Sequence, residues 1–156
     1  VKFIIYLFKR ISNLKGNTLM HWEIIINYSL LVGIMVFFVT VVSPSALATL
    51  QGEVLASFLR TIFPRMFFLG LVLGIIGNIF CYFSEVYWFF FLSTIITISF
   101  LINLFFLTPA INSIRDDQLL SETARNKKFR IYHGISVLLF VGNFVLSGYL
   151  VFEQIL

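Results

Sequence analysis

The stretch that decides the fold is Val86–Ile114, VYWFFFLSTIITISFLINLFFLTPAINSI, which runs for 29 residues without a charged side chain. About 20 apolar residues span the hydrocarbon core of a bilayer as an α-helix. A transmembrane strand would instead alternate apolar and polar residues over about ten positions, and this stretch does not. It therefore predicts a membrane-spanning helix, which we place at residues 86–107.

The composition extends this prediction to the whole chain. The 156 residues are 60% hydrophobic and 12% charged, with a mean hydropathy of +1.00, whereas globular proteins average roughly 25% charged residues. Eighteen charged side chains are too few to cover a water-facing surface around twenty phenylalanines. A soluble enzyme and a disordered chain are excluded, and so is a disulfide scaffold, since Cys81 is the single cysteine.

Three further charge-free runs are long enough to cross a bilayer: Ile24–Gly52, Met66–Ser84 and Ile131–Phe152. Together with the first stretch they predict an all-α integral membrane protein, a four-transmembrane-helix bundle that forms one domain over residues 24–156. The predicted spans lie near residues 24–42, 66–82, 86–107 and 131–152.

The prolines and the polar connections suggest where these spans end. Pro44, Pro64 and Pro109 each lie beside the end of a charge-free run, and proline is tolerated in the first turn of a helix. We therefore expect all three at span boundaries. Residues 44–63 place apolar side chains on one helical face, which predicts an interfacial helix, capped by Ser43, between spans one and two.

The basic residues favour one orientation. Seven of the eleven lie in the connections 43–65 and 108–130, which follow spans one and three and therefore share one side of the membrane. Because lysine and arginine accumulate in cytoplasmic loops, we predict that both connections face the cytoplasm in a bacterial cytoplasmic (inner) membrane. Tryptophans and tyrosines gather on the opposite side and predict an aromatic belt at that membrane interface: Trp22, Tyr82, Tyr87, Trp88 and Tyr149.

Residues 1–23 form a basic N-terminal segment, with four lysines and arginines in its first fifteen positions. Two interpretations stay open. Residues 1–19 lie upstream of a true translation start at Met20, or they form a basic amphipathic helix on the membrane surface. Under the first interpretation, the basic residues divide seven to none between the two sides.

Polar side chains within a span are costly unless they are paired, so they are the first candidates for function. On a helical wheel, five residues of the last span lie within about 80° of one another: His133, Ser136, Phe140, Asn143 and Ser147. This polar stripe is expected to face the bundle. It either forms interhelical hydrogen bonds or lines a site for a small polar solute or a proton, with Asn27, Asn78 and Asn103 as candidate partners.

Small residues recur at four-residue spacing in the second span, at Gly70, Gly74 and Asn78. Such spacing lets two helix backbones approach closely. The pattern predicts packing against another span, against a second copy of the protein in a homo-oligomer, or against a membrane-protein partner.

The basic cluster Arg125, Lys127, Lys128 and Arg130 adjoins the last span. It favours contact with anionic lipid headgroups over nucleic acid binding.

His21 and His133 begin antiparallel spans and so lie at opposite faces of the membrane, about 30 Å apart. Because two histidines so far apart cannot bind the same metal ion, we expect no metal and no cofactor. We also expect no enzyme activity, because the sequence has no phosphate-binding glycine loop and no catalytic triad pattern.

Four segments carry a resemblance to a known family: Gly33–Leu47, Phe63–Arg65, Thr108–Asn112 and Phe129–Ser136 leading to Asn143. They resemble the four-span bacterial membrane proteins of unknown function (domain of unknown function 4149) that are related to eukaryotic transmembrane protein 205. The resemblance implies the same four-helix fold and no catalytic role. By position, the motif residues it implies are Pro44, Pro64, Arg65, Pro109, Asn112, His133, Ser136 and Asn143.

These observations leave two functional hypotheses. The first is a structural, interaction or assembly module whose polar stripe holds helices together. The alternative is a small-solute or proton-binding component of an export or resistance system, in which the stripe forms the binding site.

Overall fold

The computed structural model describes the backbone of residues 18–155 and the side chains of residues 22–155. The predictions for residues 1–17 therefore lie outside the described part of the chain. The side chain of His21 also lies outside it.

The described chain folds into four long helices. Helix α1 comprises Thr18–Phe37, a π-helical turn Phe38–Val42 and Ser43–Thr49; helix α2 is Gly52–Phe83. Helix α3 comprises Tyr87–Ile102, a π-helical turn Asn103–Leu107 and Thr108–Asp116, and helix α4 is Glu122–Ile155. All four are long and apolar enough to cross a membrane. The predicted all-α, four-span bundle is confirmed.

The prolines predicted at span boundaries do not mark helix ends. Helix α1 continues through Pro44, α3 continues through Pro109, and Pro64 lies inside α2. A π-helical turn precedes both Pro44 and Pro109. In the first turn, the amide N–H of Ser43 donates a hydrogen bond to the carbonyl of Phe38, five residues earlier. In the second turn, the amide N–H of Thr108 donates to the carbonyl of Asn103 in the same way. The wider turn gives the helix room to continue past a ring that would crowd a regular α-helix.

The prediction of a separate interfacial helix over residues 44–63 is wrong. The chain breaks instead at Leu50 and Gln51, which have extended backbones. Gly52 follows with a φ of +55°, a conformation that glycine adopts at little cost. Residues 44–49 therefore complete α1, and residues 52–63 begin α2.

The polar connection predicted over residues 108–130 is shorter than expected. Helix α3 extends to Asp116 and α4 begins at Glu122, which leaves residues 117–121 as the turn. Arg125 through Arg130 consequently lie on the first turns of α4.

The four helices pack in cyclic order. Helix α1 contacts α2 and α4, and α3 contacts the same two helices. The buried core combines Tyr28 and Met35 of α1 with Ile96 and Phe100 of α3, all at most 1% exposed. Tyr28 reaches across the centre and donates a hydrogen bond from its hydroxyl to Ser93 Oγ on α3.

The outer surface of the bundle is apolar. Phe106 and Leu138 are exposed by 64% and 71%, and many other large aliphatic and aromatic side chains also point outward. A surface of this kind is unfavourable in water and fits lipid chains. The protein is therefore a multi-pass membrane protein whose helices contact the bilayer.

The two ends of the bundle differ in charge. We call the end formed by residues 50–51 and 117–121 the basic end. Within the described side chains, all seven lysines and arginines lie in the half of the bundle nearest to it. The charged residues at the opposite end are Glu23, Glu85 and Glu153. The aromatic residues of the predicted belt also lie at that opposite end, and all five are exposed.

Candidate functional site

A cavity of about 580 Å³ opens between the four helices near the basic end. Its volume lies within the range of roughly 300–1,000 Å³ found for small-molecule sites. Every helix contributes to its walls: α1 through Phe38 and Ser43, α2 through Arg60, α3 through Arg115, and α4 through Ser136. The cavity therefore depends on the assembled bundle rather than on any single helix.

Aromatic side chains form the apolar walls. The rings of Phe38 and Phe63 lie 5.2 Å apart between centroids, and Phe63 stacks on Phe67 at 6.1 Å. Phe140 of α4 lies on the same cavity. Because these rings come from three helices, they give the cavity apolar walls on several sides, which favour apolar groups.

Two arginines line the cavity. The Arg60 guanidinium donates two hydrogen bonds to the Asp116 carboxylate, with Nη1 lying 3.0 Å from Oδ2. This pair ties the start of α2 to the end of α3. The guanidinium carbon of Arg115 lies 4.3 Å from the centroid of the Phe129 ring, a cation–π arrangement.

His133 completes a short stack along one wall. Its ring lies 5.4 Å from the Phe129 ring with an angle of 7° between the two planes, so Phe129 contacts both Arg115 and His133. The side chain of His133 is more exposed than its place in the predicted inward stripe suggested, although it lines the cavity.

Ser136 links the cavity to the interior of the bundle. Its hydroxyl donates a hydrogen bond to the side-chain oxygen of Asn103. Asn103 is fully buried in the π-helical turn of α3, and its amide nitrogen donates to the Ser99 carbonyl at 3.3 Å. The Thr108 hydroxyl donates to the backbone carbonyl of Asn103 at 2.7 Å. These bonds fix α3 against α4 beside the cavity.

The rest of the polar stripe is buried, but its side chains are incompletely paired. Asn143 is 1% exposed and Ser147 is 0% exposed. The Asn143 amide nitrogen and the Ser147 hydroxyl have no hydrogen-bond partner among the described residues, and the same holds for the Ser99 hydroxyl. The stripe thus faces the bundle, yet of its buried polar side chains only Ser136 makes a side-chain hydrogen bond within the described part of the chain.

A family model described as Domain of unknown function (DUF4149) matches residues 26–119, more than half of the chain. The chain belongs to the DUF4149 family. The match covers α1 through α3, so α4 lies beyond it. No curated protein and no solved structure matches the chain.

The motif residues implied by the resemblance occupy different places in this DUF4149 protein. Asn112, His133 and Ser136 line the cavity, and Asn143 is buried deeper on the same face as Ser136. Pro44, Arg65 and Pro109 are exposed outside the cavity, and Pro64 is half-buried.

Asn27 and Asn78 do not join the polar stripe. The Asn27 amide nitrogen donates to the Leu73 carbonyl at 3.1 Å, which ties α1 to α2. Asn78 donates to Thr97 Oγ1 at 2.8 Å and accepts a hydrogen bond from Thr94 Oγ1 at 3.0 Å, which ties α2 to α3. Both asparagines hold the bundle together and neither lines the cavity.

The small-residue face of α2 packs inside the chain. A methyl group added at Gly74 would lie 2.8 Å from Thr97 Oγ1 and 3.2 Å from Thr97 Cα. A methyl group added at Gly70 would meet the ring of Phe100. Helix α3 therefore covers Gly70, Gly74 and Asn78, so this face packs against another span of the same chain.

The predicted lipid-contact cluster lies on the first turns of α4. Lys127, Lys128 and Arg130 are exposed, and Arg125 is half-buried.

Among the described residues, no group of three or more His, Cys, Asp and Glu side chains is arranged to hold a metal ion.

Arg60 and Arg115 are cavity residues that the sequence reading of this DUF4149 protein missed. A signal for Arg115 was present, because Thr108, Asn112 and Arg115 are spaced to share one helical face. The prediction of one connection over residues 108–130 hides this signal, because the segment is the end of one helix and the start of the next. For Arg60, no comparable signal pointed to the cavity.

Proposed function

We propose that this DUF4149 protein is a membrane-embedded binding protein that holds a small molecule in the cavity at the basic end. The observation that carries the proposal is the cavity itself, about 580 Å³ in volume and walled by all four helices. The role is binding rather than catalysis. It corresponds to a small-solute component of an export or resistance system.

The chemistry of the lining supports this proposal. Small-molecule sites combine mostly apolar walls with a few converging polar groups that orient the ligand. Here, aromatic rings form the walls, while Arg60, Arg115, Asn112 and His133 supply hydrogen-bond donors. A bundle that only needed to pack would gain stability by filling this space.

The competing hypothesis, a structural or assembly module, has its own support in the other half of the bundle. The hydrogen bonds of Asn27 and Asn78 and the close approach at Gly74 hold helices together there. Asn143 and Ser147 fit that hypothesis less well, because a side chain retained for helix association is expected to make hydrogen bonds.

We further propose a location and an orientation. The protein resides in a bacterial cytoplasmic membrane with its basic end in the cytoplasm, since all seven described basic residues lie in that half. The cavity then opens toward the cytoplasm. In this orientation, Arg125, Lys127, Lys128 and Arg130 lie where they contact anionic headgroups of the inner leaflet. The resemblance to eukaryotic transmembrane protein 205 stays part of this proposal.

The proposed binding can be tested by filling the cavity. Val137 lines the cavity, whereas Val145, two turns further along α4, does not; they are exposed by 45% and 61%. We expect native mass spectrometry of the wild-type protein, released from a mild uncharged detergent, to show a bound small molecule. Val137→Trp should lose that molecule and Val145→Trp should retain it. Equal retention in both variants, or a wild-type protein without a bound molecule, contradicts the proposal.

A further inference from the structure

We infer that the ligand of this cavity is an anionic amphiphile, with its acidic group at Arg115 and its apolar chain between the aromatic walls. The inference rests on the proposed function and specifies the chemical class of the ligand. It follows from the charge of the lining, from an unpaired donor and from the position of the aromatic rings.

The ionisable groups on the cavity favour an anion. Its lining contains Arg60, Arg115 and His133, and no aspartate or glutamate. The single carboxylate bound nearby is that of Asp116, and Arg60 holds it with two hydrogen bonds. Across the described residues, this is the one ion pair. The charge of Arg115 is therefore left without a carboxylate partner in direct contact.

Arg115 lies in a setting that strengthens its attraction for a ligand. It interacts electrostatically with both Arg60 and Asp116, so two positive groups share one negative group. Its guanidinium lies over the Phe129 ring, at 4.3 Å from the centroid. Among the described residues, the guanidinium hydrogen bonds and the ion pair belong to Arg60, so the N–H donors of Arg115 are available for the oxygens of an acidic group.

Arg60 supplies a second, independent sign of a missing acceptor. Its Nη1 and Nη2 atoms both donate hydrogen bonds to Asp116, but its Nε is buried and has no hydrogen-bond partner among the described residues. Buried N–H groups are nearly always paired. Because Arg60 lines the same cavity as Arg115, a small turn of its side chain would bring this donor to the oxygen of a bound acidic group.

The remaining walls require an apolar part in the ligand. Phe38, Phe63, Phe67 and Phe140 line the cavity together with Met66. A small inorganic or carboxylate anion would leave these rings without a contact. A neutral chain would leave the arginines without an acceptor. A molecule with one acidic head and one apolar chain matches both parts.

The inference can be tested with three probes in a neutral maltoside detergent: laurate, dodecanol and acetate. Laurate has both the acid and the chain, dodecanol has the chain alone, and acetate has the acid alone. Thermal unfolding of the full chain is measured at equal mole fractions of laurate and dodecanol in the micelle. We expect laurate to raise the Tm in a concentration-dependent manner, and the other two probes to leave it nearly unchanged.

Charge variants locate the acid group. Arg115→Gln should weaken the laurate effect at least tenfold, and Arg115→Lys should restore part of it. Arg65→Gln removes the same charge from an exposed position outside the cavity and should retain the wild-type response. Comparing the Tm of each variant without probe shows whether it still folds.

The opposite results overturn the inference. A response to dodecanol or acetate equal to that to laurate removes the need for an anionic amphiphile. An equal loss in Arg65→Gln and Arg115→Gln points to general surface charge instead. If dodecanol protects the wild type and Val137→Trp abolishes the effect, the cavity still binds a ligand and only its anionic character is rejected. If no probe binds, the inference fails, and the native mass spectra decide separately whether the proposed function fails with it.

Discussion

The Ser136 hydroxyl on α4 donates a hydrogen bond to the side-chain oxygen of Asn103, 33 residues earlier on α3. Both side chains are buried, and Ser136 also lines the cavity. Asn103 begins the π-helical turn of α3. The bond therefore fixes the register of the last two helices at the inner edge of the candidate site.

Replacing Ser136 by alanine should destabilise the protein, because the buried Asn103 oxygen loses its partner from α4. Hydrogen bonds between membrane helices contribute about 0.6 to 1.7 kcal/mol, and we expect a loss in this range. The measurement is the free energy of unfolding in mixed micelles of detergent and denaturant.

Ser147→Ala is the matched control for that experiment. Ser147 is also buried on the same helix face, but its hydroxyl has no hydrogen-bond partner in the described part of the chain. Removing it should leave the stability unchanged or raise it slightly. A larger loss for Ser147→Ala than for Ser136→Ala would contradict the described hydrogen bonding.

Gly74→Ala should weaken the contact between α2 and α3. The added methyl group would lie 2.8 Å from Thr97 Oγ1 and 3.2 Å from Thr97 Cα, and the backbone cannot yield as easily as a side chain. Overpacking of this kind typically costs about 1–3 kcal/mol. Gly142→Ala, in α4, meets nothing within 4 Å and should be neutral. Equal melting temperatures of the two variants would argue against close packing at Gly74.

The Arg60–Asp116 pair should contribute modestly to stability. Its side chains are exposed by 36% and 57%, and ion pairs in such settings contribute at most about 1 kcal/mol. A double-mutant cycle with Arg60→Gln and Asp116→Asn should give a coupling free energy of that size, reduced in 1 M salt. A coupling that salt leaves unchanged would indicate a more enclosed pair than the structure describes.

Cysteine labelling can test the proposed orientation. Cys81 is fully buried, so the wild-type protein should react little with a membrane-impermeant maleimide. Tyr87→Cys introduces a thiol at the opposite end, where the native side chain is 83% exposed, and it should react in intact cells. Gln118→Cys, in the turn at the basic end, should react only after permeabilisation. The reverse pattern would place the basic end outside the cytoplasm.

The sequence predicted the fold well because charge is excluded from the hydrocarbon core. The long charge-free runs, Val86–Ile114 above all, each required a helix. The same runs could not indicate the residues at which each helix begins and ends. Pro44 and Pro109 looked like boundaries, but the π-helical turns before them let the helices continue. Whether a helix stops at a proline or widens before it depends on neighbouring helices, which no local pattern records.

The candidate site could be predicted only in part. The wheel of the last span placed Ser136, Asn143 and Ser147 on one face, and all three are buried. The wheel could not show that Arg60 and Arg115 converge on that helix, because their positions depend on the packing of three other segments. The partners of Asn27 and Asn78 likewise depend on helix neighbours rather than on spacing.

The shared walls of the cavity have a consequence for how the protein is made. Phe129, His133 and Ser136 belong to α4, which leaves the ribosome after α1, α2 and α3, and they face residues contributed by those three helices. The first three helices, which span nearly all of the family match, can enter the membrane without forming the site. A ligand held by all four walls would therefore bind only after α4 has inserted, since a chain arrested before that step lacks the fourth wall.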